Sequence, residues 1–246
     1  MEFVPLIYSP NVTEFGKRNY TDPDLTEADS VFLGYNEPNQ PDQTNIPPKI
    51  AAQYWYQLGQ KYPNKVRTKK KALIRRYGLI WYYYFNYFTI IIFQTMVSPA
   101  TGHVDTEWFD VFWAECQKLG CRIDYLATHL YRGTPDERIE KLRKYSERYD
   151  NKKIWLTEFA VIREKEFSKV IEFIEEFLPK LEFSDFIFRY SWFYTRYYDT
   201  PTDTSHWFWI DNYAGSLLDM NDSLLSQIGK VYDKPWHLEE HRPLGY

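Results

Sequence analysis

Two glutamates stand where a sequence could do chemistry. Glu37 lies in Phe32-Leu33-Gly34-Tyr35-Asn36-Glu37-Pro38-Asn39, and Glu158 lies in Ile154-Trp155-Leu156-Thr157-Glu158-Phe159-Ala160. Each ends a short apolar run. A lone glutamate after such a run is ordinarily a solvated loop charge. Two of them among aromatic residues, one in Asn-Glu-Pro, are the parts of a glycosidase: one protonates the leaving oxygen and the other attacks as a nucleophile. His129 and Tyr131 follow another apolar run, and Trp192 ends a further one. Imidazole, phenol and indole at strand ends can hydrogen-bond a sugar and stack on its C–H face, although each residue type is also common in plain packing.

The elements that must position these side chains follow from hydropathy. Residues 3–8, 31–35, 95–98, 123–130, 153–157 and 186–193 are near-continuously apolar, the pattern of strands covered on both faces in a parallel sheet. Helical patterns fall between them at 48–61, 106–119, 135–149 and 167–178, with a last one at 217–231. Gly120 is a C-terminal stop for the second, and Val170, Ile171, Ile174 and Phe177 share one face of the fourth. Alternation of strand and helix predicts parallel βα units, hence a barrel or a doubly wound sheet. In a βα barrel the C-terminal strand ends open on one face, where Glu37 and Glu158 would meet.

Composition narrows the function. A chain of 246 residues suits one large domain, such as a single α/β barrel, or two small ones, and 44% hydrophobic residues argue against wholesale disorder. A net charge of −4 gives no global case for nucleic acid. Neither GxGxxG nor GxxxxGK[ST] occurs, so nucleotide cofactors lack their fingerprints and no cofactor is expected. Cys116 and Cys121 cannot form a disulfide framework; their spacing admits one local bridge, with two buried thiols as the plainer expectation. His237-Leu238-Glu239-Glu240-His241 matches H-x-x-E-H, but its place in the last ten residues reads as a polar tail, not a metal site. No signal peptide is visible at Met1, whereas three N-x-[ST] sequons, at Asn11, Asn19 and Asn221, permit secretion.

Residues 66–94 break the order. They open with Arg67, Lys69, Lys70, Lys71, Arg75 and Arg76, contain no acid, and run on through Trp81, Tyr82, Tyr83, Tyr84 and Phe85 to Phe93. Three readings compete. The apolar part is short of the ~20 residues of a spanning helix and holds Asn86, so no membrane span is expected. A hydrophobic insert between βα units is the second reading. The third is a retained intron: Val66-Arg67 can be encoded with a 5′ splice signal and Phe93-Gln94 with a 3′ one, around a pyrimidine-rich tract. Without the segment, the chain would be distinctly acidic and still rich in aromatics.

The succession Phe3-Val4-Pro5-Leu6-Ile7, Leu33-Gly34-Tyr35-Asn36-Glu37-Pro38-Asn39, Val97-Ser98-Pro99-Ala100, Ile123-Asp124-Tyr125-Leu126-Ala127-Thr128-His129, Ile154 to Ala160, and Tyr190-Ser191-Trp192-Phe193 resembles glycoside hydrolase family 128, a family of glycosyl hydrolase catalytic cores. The resemblance spans residues 2–232 apart from 66–94. It implies a (β/α)8 TIM barrel, here lacking its first two strands, and a retaining hydrolase of β-1,3-glucan acting in the cell wall or outside the cell. It implies Glu37 as acid/base, Asn36 as a contact to the sugar 2-hydroxyl and Glu158 as nucleophile. Tyr8, His129, Tyr131 and Trp192 would line the subsites. The expected partner is a polysaccharide, with the protein acting as a monomer. A non-catalytic glucan-binding or inactive protein on the same scaffold is the alternative, since missing strands leave edges unpaired.

Overall fold

A computed structural model describes residues 31–61, 95–193, 195, 215–219 and 224–243. The expected strand at 3–8, with Tyr8, and the whole of 66–94 lie outside them. Within them the order is β1 (Val31–Leu33), α1 (Pro48–Lys61), β2 (Thr95–Thr101), α2 (Thr106–Leu119), β3 (Tyr125–Leu130), α3 (Pro135–Arg148), β4 (Ile154–Phe159), α4 (Phe167–Glu182), β5 (Ile187–Trp192) and α5 (Gln227–Tyr232). The five strands are parallel and sit side by side in chain order. This is a TIM-barrel-like α/β arrangement. Among the described residues β1 and β5 are the outer strands.

Every residue of β2 and β3 after the first is buried, which is why these strands read as unbroken apolar runs, whereas in β5 only Trp192 is buried. The larger core lies between the sheet and the helices. There Trp55 of α1 is fully buried and donates its indole N–H to Arg122 O (2.9 Å), while its ring meets Tyr35 edge-on at 5.8 Å. Phe109 and Phe112 of α2, Leu142 of α3, and Val170, Ile174 and Phe177 of α4 fill the rest. The concave face carries a smaller cluster of Val97, Ala100, Ala127 and Trp155, flanked by Leu33 and Tyr125.

Local signals set the helix ends. Thr134 and Glu137 form a reciprocal capping box with Pro135 in the first turn of α3, and Asp105 caps α2 through the N–H groups of Glu107 and Trp108. Gly120, at φ 74°, ends α2 and folds the chain back so that Cys121 N–H bonds to Cys116 O at 2.9 Å. This corrects the expectation of free thiols: Cys116 and Cys121 are disulfide-bonded, with Cα atoms 4.8 Å apart. The last helix is also shorter than the pattern 217–231 predicts. Leu218 and Leu225 instead form an antiparallel bridge, and α5 starts only after Ser226, whose hydroxyl accepts from Gly229 N–H.

Two of the sheet's irregularities decide which way the side chains near the site point. Between Val97 and Ala100, β2 carries one residue more than β3 opposite; between Leu156 and Glu158, β4 carries Thr157 as an extra residue. A bulge reverses the alternation of faces beyond it. Trp155 faces the concave side, and the extra residue lets Glu158 face it too, paired with His129. The β2 bulge lies against Gly34, where an added Cβ would sit 2.6 Å from Pro99 N and 2.8 Å from Ser98 C. No side chain fits there without separating β1 from β2. Gly34→Ala is therefore expected to lower stability by about 1–3 kcal/mol, read as a lower urea midpoint.

Candidate active site

Four predicted residues converge at the C-terminal strand ends. His129 of β3 is almost wholly buried, at 1% exposure. Its Nδ1 lies 2.7 Å from Glu37 Oε1 and 3.3 Å from Glu158 Oε2. Tyr131 OH donates to Glu158 Oε2. One oxygen from each glutamate and the imidazole nitrogen all lie within 4.8 Å of one another. These three could also ligate a cation, but each already has a hydrogen-bonding partner within the group. The side chains of Glu37 and Glu158 keep 14% and 25% exposure, so both remain reachable from solvent.

The position of Glu37 is imposed by its loop. Its backbone is left-handed at φ 40°, a conformation a non-glycine residue adopts only when its surroundings hold it. Its N–H bonds to Ala100 O at 2.8 Å and its carbonyl accepts from Gln40 N–H at 3.0 Å. Asn39 fixes the same loop to β2 and α2: its Oδ1 accepts from Gly102 N–H (3.0 Å), and its Nδ2 donates to Asp105 Oδ2 (2.9 Å). Gly102 leaves space for the carboxylate, since a Cβ there would come within 3.0 Å of Glu37 Oε1. Asn36 is half-buried beside it, with Nδ2 donating to Gln43 Oε1 at 3.2 Å and its carbonyl accepting from Thr44 Oγ1 at 2.6 Å.

Opposing effects act on the Glu158 carboxylate. Burial raises the pKa of Glu158; the nearby His129 and the Tyr131 hydroxyl pull it down, and the charge of Glu37 pushes it up again. Burial and then the charge of Glu158 push the Tyr131 phenol well up, so it stays a proton donor to Glu158.

Trp192 does not join the group. It sits on the row of Phe159, which faces the helices. There it is 5% exposed, meets Phe159 edge-on at 5.3 Å, packs on Tyr232, and gives its indole N–H to Gly215 O at 2.7 Å. It is a core residue, contrary to the expectation that it stacks on sugar. The neighbouring Phe193 instead meets the Tyr131 ring edge-on at 6.1 Å. His103 escaped the sequence reading. It follows Gly102 in a left-handed backbone (φ 60°) and meets Tyr131 edge-on at 5.8 Å. Burial, and then the nearby charge of Arg132, lower its pKa. No periodicity marks such a residue; only the Asp105 cap just after it signals a structured turn. In the H-x-x-E-H stretch, Glu239 pairs with Arg242 and the His241 ring packs on Trp236.

Paired carboxylates at the C-terminal ends of parallel strands, with a buried imidazole between them, define the site of a glycoside hydrolase. The chain belongs to the family of glycosyl hydrolase catalytic cores, whose family model matches residues 1–89 and 81–232. Solved structures of glycoside hydrolase family 128 share its fold. An exo-β-1,3-glucanase (subgroup V) from Cryptococcus neoformans is 24% identical, with 96% of this chain and 79% of that chain covered at a TM-score of 0.67. An endo-β-1,3-glucanase (subgroup II) from Sorangium cellulosum is 23% identical, with 94% and 80% covered at 0.64. A mutant endo-β-1,3-glucanase (subgroup I) from Amycolatopsis mediterranei, in complex with laminaritriose and laminaribiose, is 20% identical, with 94% and 81% covered at 0.65. No curated protein matches the sequence.

The sign of the Glu158 shift yields a stability prediction. A carboxyl whose pKa is raised by folding favours the fold while protonated, and this contribution is lost as pH rises through the folded value. Ionised Glu158 thus weighs on the fold at neutral pH. Glu158→Gln is expected to melt higher than the wild type at neutral pH. The gap should close at about pH 3.5, below the ordinary carboxyl range. Scanning calorimetry at both pH values reads it.

Proposed function

We infer that the protein is a retaining hydrolase of β-1,3-glucan. The observation that carries this is the approach of the Glu37 and Glu158 carboxylate oxygens to within 4.8 Å, with His129. Retaining glycosidases hold their carboxyls roughly 5–5.5 Å apart, whereas inverting ones need about 6.5–9.5 Å to admit a water. Glu158 is the nucleophile. The Tyr131 hydroxyl and His129 stabilise its ionised form against burial, and attack on the anomeric carbon forms a glycosyl ester while the C–O bond to the leaving sugar breaks. Glu37 gives its proton to that leaving oxygen, then takes one from the water that cleaves the ester. The family-128 neighbours, β-1,3-glucanases by name, support the choice of glucan.

The same reading takes Asn36 as a sugar contact, and residues 66–94 as an interruption of the catalytic core. The family match is split in two within that stretch, one segment ending at residue 89 and the other starting at residue 81, which supports the second point. It also places the enzyme outside the cytosol, in or near a cell wall. The Cys116–Cys121 bridge supports an oxidising compartment. The reading takes the enzyme to act as a monomer. Among the described residues no helix is long and apolar enough to cross a membrane.

Glu37→Gln is expected to lower kcat/KM on β-1,3-glucan by about 10²–10⁴-fold. The loss should be smaller on an aryl β-glucoside whose leaving group needs no proton. Glu158→Gln is expected to abolish turnover of both. Reducing-sugar release and aryl-group release measure this pair of outcomes; undiminished glucan turnover in Glu158→Gln would overturn the assignment, and glucan binding without release by the wild type would favour the non-catalytic alternative.

A further inference from the structure

Arg138, in the first turn of α3, is 3% exposed. Its guanidinium donates only to backbone carbonyls: Nε to Gly133 O (2.9 Å), Nη1 to Leu130 O (3.3 Å) and Ala160 O (3.0 Å), and Nη2 to Tyr131 O (2.8 Å). The guanidinium carbon lies 4.4 Å from the centre of the Phe173 ring of α4. Burial lowers its pKa to about 10, which still leaves it charged at neutral pH. A buried cation without an acidic partner is costly unless its donors are satisfied. Here they are satisfied by the C-terminal ends of the two strands that carry the chemistry. Leu130 ends β3 and Tyr131 follows it; Ala160 follows β4 two residues after Glu158. The same guanidinium therefore fixes the backbone under the Tyr131 hydroxyl and the backbone beyond the carboxylate that receives it.

We propose that Arg138 is a positioning residue for the Tyr131–Glu158 hydrogen bond, joining the ends of β3 and β4 so that the phenol meets the carboxylate. The inference rests on the reading of Glu158 as the nucleophile. Only a planar fork with several fixed donors reaches carbonyls of both strands at once; an ammonium on the same helix keeps the charge but not the bridge.

The test follows the titration of Glu158 directly by ¹³C NMR of glutamate-labelled full-length protein, with Glu158→Gln assigning the signal, beside kcat/KM on β-1,3-glucan across pH. Loss of a hydrogen bond to a charged group shifts a pKa by about one unit. Tyr131→Phe and Arg138→Lys are each expected to raise the Glu158 midpoint by about that much. The double variant should raise it no further than Tyr131→Phe alone. The acid limb of kcat/KM should move up with the midpoint. A Leu142→Ala variant, destabilised in the same helix, should leave the midpoint in place. An unmoved midpoint in Arg138→Lys, or full additivity in the double variant, overturns the proposal. Should Arg138→Lys fail to fold, Phe173→Leu loosens the guanidinium while leaving its hydrogen bonds. It is expected to shift the midpoint upward by less, and no shift overturns the proposal equally. Absence of glucan turnover by the wild type would defeat the functional reading alone, because the NMR titration does not depend on it.

Discussion

Everything in this structure that bears on function serves one unfavourable contact: two carboxylates within 4.8 Å of each other in a half-buried site. Burial raises the pKa of Glu158, and the nearby charge of Glu37 raises it further. The pair survives because His129 lies between them and because Tyr131 donates to one side. That asymmetry matters. Glu158 has the extra hydroxyl donor, which favours its charged form against the burial that raises its pKa.

The scaffold supplies this contact through backbone devices more than through side-chain choice. The extra residue Thr157 turns Glu158 to the concave face. The bare Gly34 lets β1 lie against the β2 bulge, and the left-handed backbone at Glu37 completes the approach from the other side. Arg138 then links the β3 and β4 ends from beneath. Of these, the left-handed backbone at Glu37 is local strain held in place for chemistry.

Much of this was legible in the sequence. The apolar runs located all five described strands, α1 and α2 match their patterns end to end, and both glutamates lie at the strand ends where a barrel puts its active site. Direction was not legible. Counting alternation from the start of a strand misplaces side chains beyond a bulge, and Trp192, aromatic and near a strand end, turned out to face the helices with its N–H already engaged. The disulfide depended on how Gly120 turns the chain, a backbone property that spacing alone leaves open. His103 and Arg138 carried no pattern at all: their importance comes from what the fold sets beside them.

In the proposed function, the close approach of Glu37 and Glu158 makes hydrolysis proceed with retention at the anomeric carbon. The most direct measurement is ¹H NMR of the first anomer released from a β-1,3-glucan, taken before mutarotation mixes the products. Double displacement through Glu158 predicts that the β-anomer is formed first and the α-anomer grows in later. Initial appearance of the α-anomer would mean single displacement by water, and would contradict the account.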